Sequence, residues 1–205
     1  MAQIVKADLE GLARAAKIVA EGGVICYPTD TLYGLGCDPQ NPSAVARTMK
    51  AKGDRTKPMP VLVKDLAIAE KLAYLTNRGR ILAREFWPGA LTLVVKARAI
   101  LPQNLTLEGK VGVRSPKHAI CLNLLELCGG ALVGTSANLT GMAPATSPDE
   151  ASQQIGTEVD LILDGGKAAL GVGSTVVDLT QPKLSVLREG PVDRECLLRS
   201  LRRRR

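Results

Sequence analysis

Eight short apolar runs limit what this chain can fold into, because each is strand-length and each meets glycine, proline, hydroxyl or charged residues. They are VICYP (24–28), PVLV (60–63), ALTLVVKA (90–97), VGVRSP (111–116), ALVGT (131–135), VDLILDGG (159–166), STVVDLT (174–180) and LSVLREG (184–190). Their length, β-branched content and turn-forming neighbours read as strands rather than helices. Helical patterns separate them. Leu9, Leu12, Ala16 and Val19 share one face, and Gly22 with Gly23 ends that run. Asn41 and Pro42 open a second helix as N-cap and first helical residue. LTNRGRILAREFW (75–87), HAICLNLLELCGG (118–130) and SPDEASQQIG (147–156) follow, the last opening with Ser147, Pro148 and Glu150 as a capping box. Several strands are joined by short turns. The pattern therefore predicts a single α/β domain with a twisted, mixed parallel and antiparallel sheet and flanking helices.

At 205 residues and 45% hydrophobic content, the chain can bury one sizeable core of Leu, Val, Ile and Ala. Neither linker nor repeat interrupts it. Aromatic residues make up only 2%, which argues against a single-strand RNA reader built on stacking rings. The formal charge is +7, but Arg199, Arg202, Arg203, Arg204 and Arg205 carry most of the excess. The folded domain is expected over 1–195 and a frayed basic tail over 196–205, with contact to a polyanion as the other reading of those arginines. Cys26, Cys37, Cys121, Cys128 and Cys196 form no CxxC pair and no zinc spacing, so free thiols in a reducing compartment are expected. MAQIVKADLEG lacks the apolar run of a signal peptide, and no segment approaches about 18 uninterrupted apolar residues. A soluble, cytoplasmic protein with no membrane partner is the expectation.

Four polar clusters sit at the ends of apolar runs, where α/β proteins gather ligand-binding groups. Thr29-Asp30-Thr31, with Gly34 and Gly36 behind, offers hydroxyls and bare backbone to a small polar ligand, or else makes a side-chain-stabilised turn. KAKGDRTKP (50–58) brings Lys50, Lys52, Arg55 and Lys57 together, either as a triphosphate clamp without the P-loop pattern or as a solvated helix end. Arg114 ends a buried strand and faces either a ligand anion or a structural carboxylate. His118 is the one histidine, which excludes a His-rich metal site and makes a poor candidate base. In GTSANLTG (134–141), Ser136 and Asn138 alternate along an extended segment and can face one pocket, or else initiate a helix. The GxSxG pattern is absent, and no His or Asp follows closely enough to suggest a serine hydrolase. The clusters together describe a cavity with hydroxyls, amides and cations, no evident nucleophile and no metal cage. Such a site works by positioning and charge neutralisation, as in nucleotidyl transfer.

The order of these pieces carries a resemblance. YPTDTLYGLG (27–36), the Lys/Arg loop ending in KPMPVLV (57–63), FWPGALTLVV (86–95), VGVRSP, TSANLTG (135–141), GVGSTVVD (171–178) and LREG (187–190) are similar to the YrdC-like family. The resemblance runs from about Val24 to Gly190 and matches the short, single-domain type. It implies a twisted α/β sheet around a large basic cavity and L-threonylcarbamoyladenylate synthase activity. L-threonine, bicarbonate and ATP would give threonylcarbamoyl-AMP and pyrophosphate, for the threonylcarbamoyladenosine modification of tRNA beside the anticodon. It also implies Mg2+ with ATP, no dedicated protein metal site, a tRNA-modification transferase complex that takes the intermediate, and contact with tRNA or double-stranded RNA.

By the same resemblance, Thr31, Arg114, Ser136 and Ser174 bind L-threonine or its carbamoyl group. Asn138, Thr146 and Arg188 fall on the ATP side, with Lys52, Arg55 and Lys57 at the phosphates and Lys52 and Arg55 as catalytic residues. The chain departs from the family pattern in the basic loop. Lys-x-Arg followed by four residues and proline is replaced by Lys52-Gly53-Asp54-Arg55 reaching Pro58, which leaves Lys50 and Lys52 as the other assignment. Leu62 stands where the family often has histidine. Two rival readings remain: a non-catalytic double-stranded RNA or tRNA-binding module of the same fold, and a paralogue like the carbamoyl-transfer domain of hydrogenase maturation proteins.

Overall fold

The computed structural model describes residues 1–53, 57–98 and 100–203. In the first half the elements run β1 (Gln3–Lys6), α1 (Leu9–Ala20), β2 (Ile25–Tyr27), β3 (Gly34–Gly36), α2 (Pro42–Ala51), β4 (Val61–Val63), α3 (Leu66–Leu72), β5 (Ala73–Tyr74), α4 (Asn77–Phe86) and β6 (Leu91–Ala97). The second half continues β7 (Lys110–Arg114), α5 (Ala119–Leu127), β8 (Ala131–Val133), β9 (Thr135–Ser136), α6 (Pro148–Ile155), β10 (Leu161–Asp164), β11 (Thr175–Asp178), β12 (Ser185–Arg188) and α7 (Arg194–Arg203). Helix starts follow the local chemistry. The side chains of Asp8, Asn41, Asp65, Thr76, His118 and Ser147 each accept a hydrogen bond from a backbone N–H in the first turn they cap. The box at Ser147 is shifted by one residue: Ser147 Oγ accepts from the Glu150 N–H, while Glu150 Oε2 accepts from the N–H of Thr146 at 2.6 Å.

The strands form two sheets rather than the single mixed sheet predicted. One runs β1-β10-β2-β3-β9, and the other runs β12-β11-β6-β7-β4-β8 with β5 added along β6. Both are mixed. β1, β10 and β2 are parallel and β3 and β9 antiparallel, while in the second sheet β11 runs parallel to β6, and β4 to β7. The sequence could not separate them because residues 131–136 belong to both. β8 pairs with β4 in one sheet, and two residues later β9 pairs with β3 in the other.

Side-chain alternation assigns the two core layers. Ile25 and Tyr27 of β2 pack with Leu12, Val19, Leu124 and Leu125 of α1 and α5, whereas Cys26 between them faces the larger core. That larger core takes Val61 and Val63, Leu91, Leu93 and Val95, and Val111 and Val113 from the second sheet. The sheets are stitched where β3 meets β8. Tyr27 Oη donates to the Val133 carbonyl at 2.6 Å, and the Val133 N–H donates to the Cys37 carbonyl at 2.9 Å. Gly36 is required at this seam, since a Cβ there would lie 1.7 Å from the Val133 oxygen.

The C-terminal boundary is corrected. Arg194–Arg203 is a helix, with Leu197 fully buried and Leu201 packed against the core, so the expected frayed tail from 196 is ordered through 203. The reason lies in Leu197, Ser200 and Leu201, whose helical spacing gives the arginine-rich segment an inner face to bury. Arg204 and Arg205 lie outside the described residues. Among the described residues no helix is long and apolar enough to cross a membrane.

His118 couples this fold to pH. Its Nδ1 accepts from the Cys121 N–H at 3.3 Å, which requires a neutral imidazole. Burial lowers its pKa from the usual 6.5, with the Asp30 charge opposing. A base with a depressed folded pKa contributes stability that is fully present above about pH 6.5 and is lost as pH falls. Thermal melts at pH 7.5 and pH 5 should therefore show a smaller loss on acidification for His118→Asn than for the wild type, since asparagine keeps the capping acceptor without titrating. Equal losses would exclude His118 as the source.

Candidate functional site

Chain direction brings several strand ends to one place. β7 is antiparallel to β6, so Arg114 at its C-terminal end lies near Thr92 at the start of β6. β11 is parallel to β6 and β12 antiparallel to β11, which adds Ser174, just before β11, and Arg188, ending β12. From the other sheet, β9 contributes Ser136 opposite Gly34, and the 28–33 loop contributes Thr31. These groups line a cavity of about 870 Å³. Thr31, Arg114, Ser136, Ser174 and Arg188 are thus drawn together, and Leu62 lines the same cavity.

The 28–33 loop is rigid by construction. Tyr33 is fully buried, and its hydroxyl donates to the Gly166 carbonyl at 2.7 Å and accepts from the Gly165 N–H at 3.2 Å. Burial pushes the Tyr33 phenol up to about 12, with the Gly165 N–H opposing, so it stays a neutral donor near neutral pH. Thr29 Oγ1 donates to the Leu32 carbonyl at 2.7 Å and accepts from the N–H groups of Thr31 and Leu32. Thr29 makes the turn, and Thr29 and Thr31 both line the cavity.

Arg114 is 5% exposed, and each of its three nitrogens donates a hydrogen bond. Nε donates to the Gly89 carbonyl at 2.9 Å, Nη1 to Thr31 Oγ1 at 2.8 Å, and Nη2 to the Asp30 carboxylate. Burial draws its pKa down and the Asp30 charge counters this. Of the two partners left open for Arg114 the structural carboxylate is present, and the side chain also lines the cavity. In the same sheet, Arg188 donates from Nε to the Ser174 carbonyl at 2.9 Å and from Nη2 to Ser174 Oγ at 3.1 Å. Ser174 Oγ lies 2.7 Å from Thr92 Oγ1. Thr92 is a wall residue that the sequence reading missed. Its signal was a hydroxyl interrupting the apolar run ALTLVV.

Other predicted residues sit elsewhere. Lys52 is 1% exposed and does not face the cavity. Its Nζ donates to the carbonyls of Ser136 at 2.6 Å and Asn138 at 2.5 Å and to Asn138 Oδ1 at 3.1 Å, while its own carbonyl accepts from Thr140 N–H and Oγ1. Asn138 Nδ2 donates to the carbonyls of Leu139 and Met142, so this side chain organises its own loop. Thr146 is bound to Glu150 at the start of α6. Lys57 lines an adjoining cavity of about 630 Å³ that shares Pro60, Thr92 and Arg188 with the first. Arg55 lies outside the described residues, and Lys50 is exposed on the last turn of α2. Among the described residues no three His, Cys, Asp or Glu side chains gather as metal donors, and Glu189 is the carboxylate-bearing residue on the cavity wall.

A two-sheet α/β fold with an arginine- and hydroxyl-lined cavity at its strand ends defines a small-molecule-binding protein of the kind that recognises polar, anionic ligands. The family model Sua5_yciO_yrdC, described as telomere recombination, matches residues 17–190. The chain belongs to this Sua5/YciO/YrdC family. It is 40% identical over 188 residues to a putative threonylcarbamoyl-AMP synthase of Mycobacterium tuberculosis, covering 90% of this chain and 86% of the relative. It is 37% identical over 182 residues to the threonylcarbamoyl-AMP synthase of Pyrococcus abyssi, covering 86% of this chain and 53% of that protein. The structure of P. abyssi Sua5 complexed with L-threonine superposes with a TM-score of 0.91 at 33% identity, covering 98% of this chain and 61% of that one. The chain thus spans little more than half of the archaeal relative and most of the mycobacterial one.

The Lys52 geometry predicts a local effect. Lys52→Met takes the ammonium donor from the Asn138 carbonyl, a cost of about 1–3 kcal/mol, while the Ser136 carbonyl keeps the Asn138 N–H. Hydrogen exchange should accelerate in residues 135–142 while β6 and β7 keep their protection. Unchanged exchange in 135–142 would refute the clamp.

Proposed function

We infer that the chain is a threonylcarbamoyl-AMP synthase, a nucleotidyltransferase that converts L-threonine, bicarbonate and ATP into threonylcarbamoyl-AMP and pyrophosphate for tRNA modification. The observation that carries this reading is the convergence of Thr31, Arg114, Ser136, Ser174 and Arg188 on one cavity in a chain of this family. The oriented guanidinium of Arg114 suits the threonine carboxylate, and the neighbouring hydroxyls of Thr31 and Ser136 suit its polar groups. Held by the carboxylate, threonine keeps its amine free. The neutral amine attacks the carbon supplied by bicarbonate, water departs, and a carbamate forms. A carbamate oxygen then attacks the ATP α-phosphorus, and the bond to the β-phosphate oxygen breaks to release pyrophosphate.

Arg188, which lines both cavities, is assigned to the nucleotide, with Lys57 at the phosphates, and Ser174 to the amino acid or its carbamoyl group. Arg55 retains its expected phosphate role. Lys52, Asn138 and Thr146 serve the nucleotide side through the loops they hold. The donor set suits Mg2+ only as an ion carried by ATP phosphate oxygens and water, and its chemistry when bound is charge neutralisation. A cytoplasmic location and transfer of the intermediate to a tRNA-modification complex belong to the same reading. tRNA contact is assigned to the exposed Arg199, Arg202 and Arg203 of α7.

Pyrophosphate release that requires ATP, L-threonine and bicarbonate together tests the assignment. Release without threonine, or none with all three present, would overturn it. Arg114→Ala should raise the KM for threonine roughly 10- to 100-fold, as expected for losing a charged hydrogen bond of about 1.5–3 kcal/mol, and leave the KM for ATP within about twofold. Arg188→Ala should show the reverse selectivity.

A further inference from the structure

Asp30 is a buried carboxylate that the site assignment leaves without a role. It is 7% exposed, bound to Arg114 Nη2, and lies behind the cavity wall formed by Thr31 and Arg114. We propose that Asp30 is a positioning residue for the amino-acid substrate, fixing the plane and direction of the Arg114 guanidinium that receives the substrate carboxylate. This inference rests on the threonine assignment made above.

The geometry supplies the reason. A guanidinium is a planar fork with five N–H donors, and one hydrogen bond leaves its plane free to rotate. Here three partners hold it from three sides: Gly89 at Nε, Thr31 at Nη1 and Asp30 at Nη2. Of these, Asp30 is the one that carries charge. The Asp30 backbone is itself fixed, because its carbonyl accepts from the Leu170 N–H at 3.0 Å and Thr29 braces the next residue. Asp30 and Thr31 are consecutive, so one short loop grips both Nη atoms at once. The two donors that remain on Nη1 and Nη2 are aimed by these contacts. Asp30 also compensates a charge that would otherwise be buried alone, which general experience puts among the most damaging changes to a core.

A structural ion pair and a positioning pair differ in one measurable respect. If Asp30 acts through Arg114, its removal matters only while Arg114 is present. The test is a double-mutant cycle of Asp30→Asn, Arg114→Gln and the double variant, with KM for threonine, KM for ATP and melting temperature measured for each. Asp30→Asn should raise the threonine KM about tenfold and move the ATP KM by less than about twofold. In the Arg114→Gln background it should add less than about twofold. Multiplicative effects in the double variant, or equal shifts in both KM values, would overturn the proposal. If Asp30→Asn does not fold, Asp30→Glu keeps the charge and displaces it by one methylene. That variant should still raise the threonine KM several-fold, and an unchanged KM would count as refutation. Calorimetric titration of the same variants with L-threonine alone separates the two ideas. Wild-type protein that binds threonine but releases no pyrophosphate removes the synthase reading and leaves the Asp30 test intact. An active wild type with an Asp30→Asn variant of normal threonine affinity removes only the Asp30 proposal.

Discussion

A guanidinium held almost out of water is the constraint around which this structure is arranged. Arg114 has to be supplied with a carboxylate, a hydroxyl and a carbonyl in fixed directions, and two segments distant in sequence provide them. The 28–33 loop brings Asp30 and Thr31, and the turn after α4 brings Gly89. Neither segment is regular structure, yet each is tied down. Tyr27 and Tyr33 moor the loop at both ends through their hydroxyls, and the Gly89 N–H donates to the Ser115 carbonyl. The ordering cost of such a loop is large, and it is offset by burying two aromatic rings beside it.

Lys52 shows the same principle on the other side of the cavity. Charge patterning makes a lysine in KAKGDRTKP look like a phosphate ligand, because cations cluster there and sequence does not reveal direction. In the fold the stem of Lys52 runs inward from the end of α2, and its ammonium meets carbonyls of the 136–138 segment. An ammonium ion surrounded by carbonyl oxygens is well satisfied, and it orders the strand that presents Ser136. Both buried cations thus shape the walls of the cavity.

Much of the fold was legible in the sequence, and the exceptions have physical causes. The apolar runs became strands, and Asn41, Pro42 and Ser147 marked helix starts where expected. Thr31, Arg114 and Ser136 were legible because each stands in a polar cluster at the end of an apolar run, whereas Ser174 and Arg188 came only from the family resemblance. Asp30 was read only as a member of a polar cluster, ligand-facing or turn-forming, since nothing local distinguishes a solvated aspartate from one facing a distant arginine. The order of α7 was hidden by its arginines, which outweigh three inward-facing residues in any compositional measure. The division into two sheets was invisible because it depends on pairing across long sequence separations.

That division has a consequence for how the molecule holds together. The six residues 131–136 contribute a strand to each sheet, and Gly36 presses its backbone against Val133 at the crossing. A single stretch of chain therefore serves as the hinge pin of both layers, and neither can detach while the other keeps its pairing. Cooperative unfolding in one transition is the natural behaviour of such a joint. The cavity lies at that joint, so its shape endures as long as the whole molecule does.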